Sequence, residues 1–167
     1  ENLVRSVELA GAVPIVRVPD HSPSAILRAL NAGALGVQVP LVNSAEDARR
    51  VVRAARYGPE GDRPVALMRA AQYAAAQPAA YFSRANAENL VIAQCDTAQA
   101  LSNLPEILKV EGLDVVFVEP HELAQSLGDA GQVNLPHVQD TINRTLDTIV
   151  ASGVTAGSHA FSPAHAR

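Results

Sequence analysis

Tryptophan is absent from these 167 residues, and cysteine and methionine occur once each. With aromatic residues at only 4%, the core has to be built from aliphatic side chains in close layers. The lone Cys95 has no partner for an intramolecular disulfide, which fits a reducing, cytoplasmic compartment. No apolar run approaches the roughly 18 residues that a membrane span needs, so no membrane partner is expected. Basic runs are missing too: 13 Lys and Arg stand against 17 Asp and Glu, a net charge of −4, which argues against nucleic acid as a partner. The opening Glu1-Asn2-Leu3-Val4-Arg5 carries neither an initiator Met nor a signal-peptide pattern, and reads as though the chain started inside a domain.

What is present is a hydrophobic fraction of 48%, ample for one core, and a length that suggests a single domain over residues 1–167. Apolar runs at 13–18, 37–42, 90–96, 113–119 and 154–159 read as buried strands. Helical sequence follows each. A partial apolar stripe from Leu3 to Ala10 stops at Gly11, and a helix from Ser22-Pro23 ends at Gly33. Asn43-Ser44 caps a third that runs to about Arg56, with Glu46 and Asp47 in its first turn and arginines further on, as the helix dipole favours. Pro64 to Asn89, rich in Ala and broken by Pro78, suggests short helical pieces. Helices are also expected over 97–109, 121–126 and about 136–151, and one begins at Ser162-Pro163. This rhythm, with no hairpin signal, predicts an α/β fold with about five parallel strands in sequence order. A closed eight-stranded barrel usually takes about 250 residues, so the prediction is an incomplete TIM-type (β/α)8 barrel.

Two acidic residues close matching strands: Gln94-Cys95-Asp96 ends the third, and Glu119-Pro120-His121-Glu122 follows the fourth. The carboxyl ends of parallel strands open onto one face, where chemistry collects. Neighbouring strands lie about 4.8 Å apart, so Asp96 and Glu122 are placed to reach one hard cation at about 2.1 Å. Gln94 and Asp96, two apart, share a strand face, and Cys95 takes the other as a buried apolar residue.

Several segments together resemble the HpcH/HpaI aldolase family, the metal-dependent class II pyruvate aldolases. They are Pro14-Ile15-Val16-Arg17-Val18-Pro19, Ala32-Gly33-Ala34, Val39-Pro40-Leu41-Val42 with Ala45-Glu46-Asp47-Ala48-Arg49, Arg56-Tyr57-Gly58-Pro59-Glu60-Gly61, Arg69-Ala70-Ala71, Gln94 with Asp96, and Ser126-Leu127-Gly128. The resemblance implies a partial TIM barrel, with two family strands lying before Glu1 and one after Arg167. It implies a carbon–carbon lyase (aldolase) that cleaves or forms 4-hydroxy-2-oxo acids through a pyruvate enolate, with a 2-oxo acid and an aldehyde as partners. It further implies a divalent cation (Mg2+, Mn2+ or Co2+) on Asp96 and Glu122, Arg17 as the catalytic cation that holds the keto or enolate oxygen, Gln94 and His121 beside the substrate, and a homo-oligomer.

The residues also carry plainer readings. Arg17 would serve as a structural ion pair with Asp20 or a neighbouring acid, Asp96 as the N-cap of helix 97–109, and Glu122 as a first-turn helix acid. Gln94 would hydrogen-bond within the barrel, and His121 would face solvent. His21, His137, His159 and His165 form no ligand spacing and receive no role. Glu and Asp have traded places relative to the family's two ligand positions, a change of roughly 1.5 Å in each arm. Glu119 replaces a family glycine, and the family's base histidine would precede Glu1. These departures keep open a catalytically impaired member that binds a ligand or partner subunit, and an acyl-CoA ester lyase is a third reading. Finally, the first and last strands have unprotected edges, so both are expected to be covered by further strands or by a neighbouring subunit.

Overall fold

The computed structural model describes residues 1–74 and 77–160. Five parallel strands form one sheet in the order β1-β2-β3-β4-β5, which is the sequence order expected. They are β1 (Ile15–Arg17), β2 (Gly36–Val39), β3 (Leu90–Gln94), β4 (Val115–Val118) and β5 (Thr155–Ser158). Seven helices accompany them among the described residues: α1 (Asn2–Leu9), α2 (Pro23–Asn31), α3 (Ala45–Ala55), α4 (Pro78–Glu88), α5 (Ala98–Ile107), α6 (Pro120–Ser126) and α7 (Pro136–Ala151). The helix expected at Ser162-Pro163 lies outside the described residues. No helix of the described residues is long and apolar enough to cross a membrane.

Helix starts follow local chemistry. The hydroxyls of Ser22, Ser44 and Thr97 accept the amides of Ala25, Asp47 and Ala100 at the starts of α2, α3 and α5. Pro78 begins α4 rather than breaking a helix, because proline at the first helical position gives up an amide that has no partner there. Strands are shorter than the apolar runs. Pro40 removes a ladder donor after Val39, and Leu41 turns away with a positive φ of 57°.

Side chains alternate across the sheet. Val37, Val39, Val91, Ala93, Val116 and Val118 are buried against α2, α3, α5 and α7, and with them form the main core. The opposite, concave face carries Ile15 and Arg17, Gly36 and Gln38, Ile92 and Gln94, Val115 and Phe117, and Gly157, in register across the strands. Gly36 is required there, since a Cβ would stand 2.7 Å from Ile15 Cδ1 and 3.0 Å from Leu90 Cβ. Gly157 likewise makes room for the Phe117 ring, 2.7 Å from where its Cβ would be. Among the described residues, strands β1 and β5 each pair on one side only.

Arg56, at the end of α3, fastens the amino ends of β3 and β4. It is 6% exposed and donates to the carbonyls of Asn89 (2.5 Å) and Gly112 (3.5 Å) and to Asp114 Oδ2 at 3.1 Å. The same carboxylate accepts the Val91 amide at 2.7 Å. Truncating one member of a buried pair leaves its partner uncompensated. Arg56→Ala is therefore expected to lower stability by about 3 kcal/mol, the low end for such pairs because Asp114 is partly exposed. Urea unfolding of the variant checks this.

Candidate active site

Strand alternation decides which β3 side chains reach the mouth of the sheet. Val91, Ala93 and Cys95 face the helices, and Cys95 is fully buried with its thiol pushed up to about 12 by that burial. Ile92, Gln94 and then Asp96 take the concave side, and Gln94 and Asp96 are each 3% exposed. Gln94 links two strands: its Oε1 accepts Arg17 Nε at 3.2 Å and its Nε2 donates to Asp96 Oδ2 at 3.4 Å. Arg17 thus reaches across β2 to the end of β3. Its pairing with Asp20 does not form; Asp20 instead accepts the Ser22 amide at 2.8 Å.

Asp96 does not cap α5. That task falls to Thr97 one residue later, whose hydroxyl accepts the Ala100 amide at 3.0 Å. Among the described residues, Asp96 Oδ1 is buried with no hydrogen-bond partner. Burial pushes the carboxyl up to about 6 from an ordinary 3.8, and the negative charges of Glu122 and Glu119 add to the rise, while its own backbone amide and then Arg17 oppose it. Arg17, Glu122 and Glu119 therefore all act on Asp96. Glu122 stands in the first turn of α6 and is exposed, and His121 precedes it, also exposed.

Glu119 lies at the junction of β4 and α6, and its carboxylate contacts Nδ1 of His159, just past β5. Sequence spacing assigned His159 nothing, because its partner is distant in the chain and only the register of β4 with β5 brings the two together. His137 pairs with Asp129 at 2.8 Å, away from these residues. Arg69 belongs to the other end of the sheet. There it holds Glu8 and the Ala32 carbonyl beside a cleft of about 540 Å³ that also takes in Leu35 and Asn89, the residues before β2 and β3.

A hard cation fits this set. It needs anionic oxygen at a place where carboxylates have not already been neutralised, and Asp96 offers a buried oxygen without a partner beside the charge of Glu122. Among the described residues no group of three or more His, Cys, Asp and Glu is arranged for a metal. Two carboxylates suffice for magnesium, which keeps waters and substrate oxygens in its other positions.

The sequence profile of the HpcH/HpaI aldolase/citrate lyase family matches residues 2–166. The chain belongs to this family. It is 40% identical over 156 residues to a hydroxypyruvate/pyruvate aldolase of Cupriavidus necator, a match covering 92% of this chain and 57% of that protein. To a 4-hydroxy-2-oxo-heptane-1,7-dioate aldolase of Escherichia coli it is 39% identical over 146 residues, covering 86% of this chain and 55% of the relative. A crystal structure of an HpcH/HpaI aldolase/citrate lyase family protein from Burkholderia cenocepacia superposes with a TM-score of 0.91 at 34% identity, over 98% of this chain and 66% of that one. The chain thus spans little more than half the length of the curated relatives it matches. The incomplete (β/α)8 barrel read from its strand rhythm agrees with these structural neighbours.

The raised Asp96 carboxyl has a consequence for stability. A group with a folded pKa above its unfolded one binds more protons when folded, so its stabilising effect is full below about pH 4 and is lost as pH rises through about 6. Asp96→Asn is expected to remove that pH dependence and to raise stability at pH 7 by about 2–3 kcal/mol in metal-free buffer. Thermal unfolding of both proteins from pH 3.5 to 7.5 measures it.

Proposed function

We propose that this chain forms the site-bearing part of a metal-dependent pyruvate aldolase, a carbon–carbon lyase acting on 4-hydroxy-2-oxo acids. The line Arg17–Gln94–Asp96, ending in a buried carboxylate oxygen without a partner, carries this reading. The names of the relatives, pyruvate and 2-oxo acid aldolases, support it. Asp96 and Glu122 would hold a divalent cation such as Mg2+, Mn2+ or Co2+. When bound, that ion would act as a Lewis acid toward the 2-oxo acid.

The side chains do the rest. Arg17 presents its guanidinium to the keto oxygen and stabilises the charge that grows there as the C3–C4 bond of the substrate breaks. Gln94 fixes two groups at once, accepting from Arg17 Nε and donating to Asp96 Oδ2, so cation and anion stay at a set separation. His121, exposed at the start of α6, lines the approach for the aldehyde portion. The second reading, a catalytically impaired member that binds a ligand or partner subunit, draws on one observation. Glu119 adds a carboxylate at the mouth, already paired with His159. Both readings include a homo-oligomer that covers β1, β5 or the concave face, where Ile15 and Leu90 are each 38% exposed.

Three measurements test the proposal on the full-length protein. Magnesium or manganese titrated by calorimetry should release or absorb heat that disappears in Asp96→Asn and Glu122→Gln. Pyruvate release from 4-hydroxy-2-oxo acids should require the cation and fall about 100-fold in Arg17→Lys, since a point charge does not replace the planar donor set. Metal binding without pyruvate release would favour the impaired member, and no heat at all would remove the metal centre. Sedimentation at micromolar concentration should show an oligomer; a stable monomer would contradict the subunit contact.

A further inference from the structure

Leu41 is held in a backbone conformation that its side chain disfavours. Its φ of 57° lies in the left-handed region, where Cβ crowds the following carbonyl oxygen and only Gly, Asn and Asp go readily. Core packing does not explain the choice. The side chain is 48% exposed, while Pro40 and Val42 on either side are buried.

The ladder between β2 and β3 shows how Leu41 is displaced. Register pairs Val37 with Val91 and Val39 with Ala93. Continued regularly, that register sets Leu41 level with Cys95 and turns its amide toward the Gln94 carbonyl. Val42 takes that place instead, donating to Gln94 O at 3.1 Å. One extra residue therefore stands in the chain just past Val39. This is a bulge, a device that re-aims a side chain at a strand end. Val42 moves into the core-facing position, wholly buried, and its carbonyl accepts the Cys95 thiol at 3.5 Å. Leu41 gives up the core place that alternation would assign it and emerges at the carboxyl end of the sheet.

That end carries the site. Strand β2 lies between β1 and β3, and Arg17 of β1 crosses it to reach Gln94 Oε1 at 3.2 Å. Gln94 is thus held through its side chain by Arg17 and Asp96, and through its carbonyl by the residue after Leu41. With neighbouring strands about 4.8 Å apart, Leu41 stands one strand from Arg17 and one from Asp96. Other exposed apolar residues of these strands, Ile15, Leu35 and Leu90, lie at the amino ends. Leu41 brings apolar surface to a mouth otherwise built from Arg17, Gln94, Asp96 and Glu122.

We propose that Leu41 is a specificity-determining residue of this site, the surface against which the carbon chain of the departing aldehyde lies. The substrate class is then a 4-hydroxy-2-oxo acid with a saturated, uncharged tail beyond C4. This rests on the aldolase reading above. Charge and hydrogen bonding match the 2-oxo acid end, and they offer nothing to methylene groups. Apolar area withdrawn from water against Leu41 favours the bound substrate in proportion to the length of its tail. A tail ending in a carboxylate gains nothing from leucine and meets the like charge of Glu122.

Two substrates read the contact. Cleavage of 4-hydroxy-2-oxopentanoate releases acetaldehyde, and cleavage of 4-hydroxy-2-oxoheptanoate releases butanal, which is two methylenes longer. With magnesium, the full-length protein is expected to show kcat/KM about tenfold higher for the longer substrate, or about threefold per methylene at a half-exposed contact. Leu41→Asn accepts the left-handed backbone, so its thermal midpoint should stay at or above the wild-type value while the ratio falls to about one. Leu41→Met should restore the preference, since its side chain is again apolar. A leucine that serves only the fold would behave oppositely: replacement would lower the midpoint and leave the ratio unchanged, which overturns the assignment. A Leu41→Asn protein that sediments as a smaller species with its ratio unchanged also overturns it, and makes Leu41 a subunit contact. Equal kcat/KM for the two substrates in the wild type overturns it and leaves the aldolase reading standing. A wild type that cleaves neither overturns that reading and this one with it.

Discussion

A carboxylate buried at the carboxyl end of β3 is the constraint around which this molecule is arranged. Asp96 is almost wholly covered, yet only one of its oxygens has a hydrogen-bond partner, the amide of Gln94. Taking such a group out of water without satisfying it is costly, and proteins normally answer by pairing it or by leaving it protonated. Here the nearby charges of Glu122 and Glu119 increase the cost, and Arg17 offsets it only through its place beyond Gln94. The arrangement makes sense when a cation completes it. On the proposed reading, the charge that destabilises the bare fold would supply affinity for the ion.

The sheet supplies the geometry. Parallel strands with helices on one face leave their carboxyl ends together, and period-two alternation sends Gln94 and Asp96 to the concave side while Cys95 goes to the core. Glycines at 36 and 157 let Ile15, Leu90 and Phe117 fill that face without steric conflict. At the amino ends, Arg56 joins β3 to β4 through two carbonyls and Asp114. Fold-holding polar contacts and site-building polar contacts thus occupy opposite ends of the same strands.

Much of this was legible in the sequence. The apolar runs and the helix caps at Ser22 and Ser44 carry the strand order, because burial and capping are local signals. The matched motifs carry the family, and parity carries the shared face of Gln94 and Asp96. Three features were not legible. Thr97 rather than Asp96 caps α5, a difference of one residue that only backbone geometry decides. Pro78 starts a helix that an Ala-rich stretch left undefined. The Glu119–His159 pair depends on β4–β5 register, a long-range relation that spacing along the chain does not encode.

Manganese would make the proposed cation at Asp96 directly visible. Crystals of the full-length protein grown with manganese, measured near the metal absorption edge, would give an anomalous map of the mouth of the sheet. One strong peak about 2.1 Å from oxygens of both Asp96 and Glu122, near the spacing a hard octahedral ion requires, is the predicted result. A well-ordered map with no peak there, or a peak that touches neither carboxylate, would contradict it.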